Sequence, residues 1–182
     1  MSFQKISKEK VLLKNIVNSI QKLNPQKKSF ELHSPLINKK DKLSVLNCLT
    51  STYISTYSHI TKKFERRICN YTKAKFSIAT INATSAIHTC LKAVGVKKDN
   101  EVLIGDLNYI AAANTVLYLG AVPHFVDINL ENFFIDIKKL ETYLKKNINY
   151  KKNFFYNKKT GRKITAIIAT YIFGKGGDIS EL

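Results

Sequence analysis

Two polar junctions, Asn82-Ala83-Thr84-Ser85 and Gly105-Asp106-Leu107-Asn108-Tyr109, carry the residue types in this chain best suited to holding a ligand. The first follows the apolar run Phe76 to Ile81, which suits a buried strand. Ala86, Ile87, Cys90, Leu91 and Val94 come after it at helical spacing, so a helix is expected to begin near Thr84. The first N–H groups of a helix have no partner within it, and the aligned peptide dipoles favour an anion there. A phosphate could therefore rest on the main chain and hydroxyls of Thr84 and Ser85. A plain Ser/Thr helix cap is the alternative. The second unit repeats the pattern, with Glu101 to Ile104 as strand, Gly105 to Asn108 as turn and Tyr109 to Leu119 as helix. Parallel strands would bring both turns to one sheet edge, with the Tyr109 ring beside the phosphate site and free to stack on a planar group. Ordinary packing is the other reading for Tyr109.

Those junctions need a scaffold, and the rest of the chain reads as one. Ile6 to Leu23 places Ile6, Leu13, Ile16, Val17 and Ile20 close to a helical stripe that stops at Asn24-Pro25, giving a helical lead-in over residues 1–28. An extended arm over Lys27 to Asn38 should follow, then two helices, Asp41 to Leu49 and Ser58 to Tyr71. Between the helices lies the polar run Thr50 to Tyr57, read either as solvated linker or as a loop reaching toward a site. Residues 29–75 thus form arm and helices, and residues 76–182 an α/β domain. Val122 to Asp127 is expected as a strand, with Asp136 capping a helix that carries Ile137, Leu140, Tyr143 and Leu144. Thr160-Gly161 marks a turn between Phe154-Phe155-Tyr156 and Lys163-Ile164, Thr165 to Phe173 reads as the last strand, and Gly174 to Gly177 turns the chain before Asp178. Repeated strand-helix units imply a mainly parallel sheet flanked by helices.

The chain has 182 residues, and a hydrophobic content of 45% is enough for one domain with a real core, which excludes a disordered chain. A formal net charge of +17 raises nucleic acid or an anionic membrane as partners. Arg66, Arg67 and Arg162 are the sole arginines, however, and nucleic-acid binders lean on arginine for bidentate and stacking contacts. A general excess of Lys, Asn and Ile is the better reading, so no nucleic acid is expected as a partner. Ten basic residues between Lys138 and Lys163 still make that region strongly positive, able to attract a nucleotide or pyrophosphate. Cys48, Cys69 and Cys90 are isolated, so neither a disulfide framework nor a zinc site is indicated. The N-terminus has no uninterrupted apolar core, so neither a signal peptide nor a membrane span is expected and a cytoplasmic location follows.

Asn82-Ala83-Thr84-Ser85-Ala86-Ile87-His88 resembles the Asn-Gly-Thr-Ser-Ala-Leu-His signature of the DegT/DnrJ/EryC1/StrS family of nucleotide-sugar aminotransferases. Leu107 to Asn114 is similar to the family's Leu-Thr-Phe-Val-Ala-Thr-Ala-Asn. Leu119-Gly120-Ala121-Val122-Pro123 and Phe125-Val126-Asp127-Ile128 follow in the family's order and spacing. Phe155 to Ile164 also resembles an inserted hairpin of the branch that aminates UDP-linked 4-keto-6-deoxy-N-acetylhexosamines toward legionaminic acid. Glu31-Leu32-His33-Ser34-Pro35 looks like that branch's N-terminal lead.

The resemblance implies a fold-type-I, pyridoxal-phosphate-dependent transferase, with Thr84 and Ser85 on the cofactor phosphate and Tyr109 stacked on the pyridine ring where the family usually has Phe. It implies a nucleotide-sugar substrate, an amino-acid donor such as glutamate, and a homodimer in the full-length form. Asn82 and Asn114 match family positions and are read as structural, while Asp127 and Asp178 have turn or cap chemistry as their plainer role. Ala83 stands for a glycine and Gly105 for a proline, and Tyr171, Ile172, Lys175 and Gly176 replace His, Thr, His and Pro. Transamination needs a Schiff-base lysine and a carboxylate near the pyridine nitrogen. Both fall downstream of this stretch in the family. The chain is therefore expected to be the N-terminal part of the large domain, truncated, without the small C-terminal domain and inactive alone. The rivals are a shortened non-catalytic product, a sugar dehydratase with histidine in place of the lysine, and a basic nucleic-acid-binding module.

Overall fold

The computed structural model describes residues 3–23, 25–26, 29, 34–56 and 58–182. The chain divides into two units, Met1–Lys63 and Phe64–Leu182. The first holds α1 (Phe3–Leu23) and α2 (Lys39–Thr50), and α3 (His59–Thr72) runs across the division. A reciprocal cap starts α2: the Asn38 side chain accepts from Lys40 and Asp41 N–H, while the Asp41 carboxylate accepts from Asn38 N–H. Half of the expected arm, including Glu31-Leu32-His33, lies outside the described residues.

The second unit is a helix–sheet–helix sandwich. Its elements are α4 (Ala83–Ala93), β1 (Glu101–Gly105), α5 (Ile110–Tyr118), β2 (Val122–Val126), α6 (Ile137–Asn147), β3 (Ile148–Lys151), β4 (Phe154–Asn157) and β5 (Lys163–Ile168). The strands lie in the order β2-β1-β5-β4-β3. β1 runs parallel to β2 and to β5, whereas β4 and β3 continue the sheet antiparallel.

Every residue of β1 is buried, because both faces of the sheet are covered there. Val102 and Ile104 point to the side where Leu91 of α4 and Ala112, Ala113 and Val116 of α5 pack. The small residues of α5 let that helix approach the strand closely. Leu103 points the other way, onto Val126, Phe134, Ile135 and Leu140. Val102 and Ile104 are fully enclosed, a burial that stabilises by about 1.5–3 kcal/mol for each side chain. β2 closes one end of the sheet and carries Pro123 opposite Val102.

Two sequence expectations are corrected, and one strand appears that was not expected. Phe76 to Ile81 forms no strand. A strand exists only where a neighbour supplies its ladder; β1 is already paired on both edges, and the segment joins neither of the terminal strands, β2 and β3. Phe76, Ile78 and Ile81 stay largely exposed, tethered by a bond from Ala79 N–H to the Glu65 carboxylate at 2.9 Å. The last strand stops at Ile168 rather than Phe173: Ile104 pairs with Ile168, and β1 ends one residue later. Beyond it the chain turns through a short 3₁₀ segment, Ile172–Gly174. The lysine-rich stretch before Phe154 contains a strand, β3, paired along its whole length with β4 and so completing a three-stranded antiparallel meander.

Phe134 is closed in by the segment after β5. The Tyr171 ring stacks on it at 5.4 Å between centroids, and Gly177 passes so near that a Cβ there would come within 2.5 Å of the Phe134 ring. A side chain at Gly176 would likewise land on the Tyr171 ring. Glycine at these two positions is what lets the chain lie flat over the aromatic pair.

Candidate functional site

α4 begins one residue before Thr84, with Asn82 as N-cap. The Asn82 Oδ1 accepts the Ser85 N–H at 2.8 Å, and its carbonyl accepts from Ala86 N–H. This confirms a structural role for Asn82. It also decides which donors remain: the N–H groups of Ala83 and Thr84 and the hydroxyls of Thr84 and Ser85 have no partner among the described residues. Thr84 and Ser85 are half-buried, so these donors face a partly sheltered surface. Ala83 keeps φ below zero, so its position makes no demand that only glycine could meet. Asn82→Ala is expected to cost about 1 kcal/mol in urea unfolding; unchanged stability would show that the cap contributes nothing.

The two junctions share one edge of the sheet. The loop after α4 and the loop after α5 meet at the amino edge of β1 and β2, through bonds from Asp99 N–H to Gly120 carbonyl (2.9 Å) and from Val122 N–H to Asn100 carbonyl (2.8 Å). With their C-termini together on one sheet face, α4 and α5 run side by side, and both N-termini lie toward the carboxyl edge. Tyr109 is the N-cap residue of α5, 75% exposed and with no ring contact to another aromatic residue among the described residues. Asn108 steadies the turn before it. Its Oδ1 accepts the Tyr109 N–H at 2.8 Å and its Nδ2 donates to the Thr170 hydroxyl at 3.0 Å, tying the ends of β1 and β5 together. The arrangement offers unpaired amide hydrogens and hydroxyls at one helix start and a flat aromatic face at the next, which suits a phosphorylated planar ring.

The other candidates fall into supporting roles. Asn114 lies mid-α5, half-buried, with no side-chain hydrogen bond among the described residues. Asp127 pairs with Lys139 Nζ at 3.0 Å on the surface, and its carbonyl accepts the Asp136 N–H. Asp136 caps α6 through Lys139 N–H, as expected. Asp178 caps the 3₁₀ turn Ile179–Glu181; bonds from the Ser180 hydroxyl and N–H hold its carboxyl below the ordinary range. Cys48, Cys69 and Cys90 are free thiols, and no group of metal-ligating side chains occurs among the described residues. No described helix is long and apolar enough to cross a membrane.

One cluster escaped sequence reasoning. Glu101 heads β1 with 2% exposure, and its carboxylate gathers three partners: the Thr160 hydroxyl, Asn157 Nδ2 at 2.9 Å and His124 Nδ1 at 2.7 Å. Burial alone would raise its pKa. The bonds from Thr160, Asn157 and His124, with the charge of His124, outweigh burial and hold the carboxyl below its ordinary value. The signal was a charged residue opening an apolar run, but its partners lie 23 to 59 positions away.

The profile of the DegT/DnrJ/EryC1/StrS aminotransferase family matches residues 35–182. The GDP-perosamine synthase of Caulobacter vibrioides is 36% identical over 111 residues, which is 61% of this chain and 30% of that protein. Among solved structures, the chain resembles Helicobacter pylori PseC, described as an aminotransferase in the biosynthesis of pseudoaminic acid, with a TM-score of 0.65 and 25% identity over 85% of this chain and 37% of that one. It also resembles Bacillus subtilis ntda with bound cofactor PMP, with a TM-score of 0.63 and 27% identity over 86% of this chain and 34% of that one. The chain therefore spans about a third of the length of the relatives it matches.

Proposed function

Because this chain belongs to the DegT/DnrJ/EryC1/StrS aminotransferase family, whose fold is of type I and whose cofactor is pyridoxal phosphate, we propose that it is the cofactor-anchoring part of a nucleotide-sugar aminotransferase. Thr84 and Ser85 bind the cofactor phosphate, through the Thr84 N–H and the two hydroxyls that Asn82 leaves free, and Tyr109 lies on the pyridine ring. The observation that carries this reading is the placement of both helix starts at one sheet edge, with those donors unpaired and the Tyr109 ring uncovered. When bound, pyridoxal phosphate supplies an electron sink for amino-group transfer. The residues described here orient it and take up its negative charge.

The substrate proposed is a nucleotide-linked 4-keto-6-deoxy sugar destined for a surface polysaccharide, with glutamate as amino donor and a homodimer as the working form. The hairpin-like sequence Phe155 to Ile164 supports the branch that uses UDP-linked N-acetylhexosamines. No lysine in the sequence stands where the family has its Schiff-base lysine, so this stretch alone is proposed to hold the cofactor without reacting with it.

The test is equilibrium binding of pyridoxal phosphate to the 182-residue chain, followed by borohydride reduction. Saturable binding that inorganic phosphate competes away is expected, weakened about tenfold by combining Thr84→Val with Ser85→Ala, with no single lysine labelled. Specific labelling of one lysine, or binding untouched by the double substitution, would overturn the reading.

A further inference from the structure

The hairpin β3–β4 has an apolar face and a mixed face on which Phe154 lies opposite Lys151. Side chains alternate along each strand, and the register pairs Asn149 with Tyr156 and Tyr150 with Phe155. Ile148, Tyr150 and Phe155 therefore share one face, where they line an apolar cavity with Leu140 and Leu144 of α6. Asn149, Lys151 and Tyr156 share the other. With Lys152 from the hairpin tip, Asn157 from the end of β4, and Lys158 and Gly161 from the β4–β5 turn, they line a separate cavity of 410 Å³, in the size range of small-ligand sites.

This second cavity is lined by three lysines and, among the described residues, by no carboxylate. No Asp or Glu occurs between Glu141 and Asp178. The Glu101 carboxylate accepts from Asn157 of the cavity lining, and from Thr160 and His124. Lys151, Lys152 and Lys158 form no ion pair among the described residues. The Lys158 ammonium is held in place by the Lys146 carbonyl at 2.6 Å, and the tight turn at Lys152-Asn153, both residues at positive φ, fixes where Lys152 leaves the main chain. Several ammonium groups around a small polar hollow, one of them held in place, are an arrangement by which lysine binds phosphate as a point charge.

We propose that this face of the hairpin binds a diphosphate, the polyanionic group of a nucleoside diphosphate, among Lys151, Lys152 and Lys158. The site is distinct from the one built by Thr84 and Tyr109. The β4–β5 turn lies at the amino edge of the parallel strands, and β5 spans about 17 Å from there to the carboxyl edge at the usual strand rise. The proposal thus goes beyond the preceding reading and does not depend on it.

The test is a titration of the isotope-labelled 182-residue chain, followed by amide NMR at physiological salt, with inorganic pyrophosphate, uridine diphosphate and uridine as separate ligands. Pyrophosphate and uridine diphosphate are expected to shift the amides of Lys151, Lys152, Lys158 and Gly161, and uridine to leave them unmoved. Equal affinities for the first two would assign the site to the diphosphate itself. Tighter binding of uridine diphosphate would add a contact from Tyr156 to the nucleoside, and either result supports the proposal. Lys151→Ala combined with Lys152→Ala, which removes no internal bond of the fold, should weaken binding about tenfold or more. Thr84→Val with Ser85→Ala should leave it unchanged, which separates failure here from failure of the cofactor reading. Shifts spread evenly over the lysines of α1 and α6, shifts confined to Thr84 and Ser85, or full affinity in the double-lysine variant would overturn the proposal.

Discussion

Phe134→Ala is expected to cost about 4 kcal/mol in urea unfolding, at the upper end for loss of a buried aromatic ring. Phe134 is 1% exposed and anchors the cluster of Leu103, Val126, Ile135 and Leu140. It also holds the chain segment that follows β5, since Tyr171 stacks on its ring and Gly177 lies against its edge. Truncation opens a cavity and releases both partners at once, and that segment cannot collapse into the gap without carrying the 3₁₀ turn with it. A loss below about 1 kcal/mol would show that the aromatic stack is incidental to the fold.

Replacing Glu101 should rank next, and its effect should depend on pH. Glu101→Ala removes the shared acceptor of Thr160, Asn157 and His124 inside the protein, and the unpaired groups left behind are expected to cost about 3 kcal/mol near neutral pH. The folded carboxyl titrates below the ordinary value of 4.5, so the folded state favours its ionised form. Its stabilisation is fully present above the unfolded pKa and is lost as pH falls through the folded one. The parent should therefore weaken in acid below about pH 4.5, while the variant, having no such group, should lose less over the same range. Unfolding curves collected from pH 7 to pH 3 decide the matter. Parallel pH dependence in parent and variant would mean that Glu101 is not the titrating group.

The legible parts of this fold were those whose causes lie within a few residues. Asn82, Thr84 and Ser85 announce a helix start because a cap acts over three positions, and Asp136 does the same for α6. β1 announces itself by a run of apolar residues that both sheet faces can bury. Phe76 to Ile81 looked alike by composition, yet whether such a run becomes a strand is decided by a partner elsewhere in the chain. The Glu101 cluster was hidden for the same reason: parallel pairing of β1 with β2 and the return of β5 after β4 bring His124, Asn157 and Thr160 together from separate segments. β3 was masked by its one lysine and the lysine that follows it, because Lys151 is exposed while Ile148 and Tyr150 alone carry the apolar signal.

Pro123 in the terminal strand β2 has a consequence for the molecule's behaviour at high concentration. A strand with one bare side offers its main chain as a template, and an identical molecule could add to it without limit. Proline has no amide hydrogen to contribute, so the row of donors there is interrupted near its middle. In a protein carrying so many exposed apolar side chains, that one ring guards against fibre-like growth in a way that mutual repulsion between positively charged molecules reinforces at low salt.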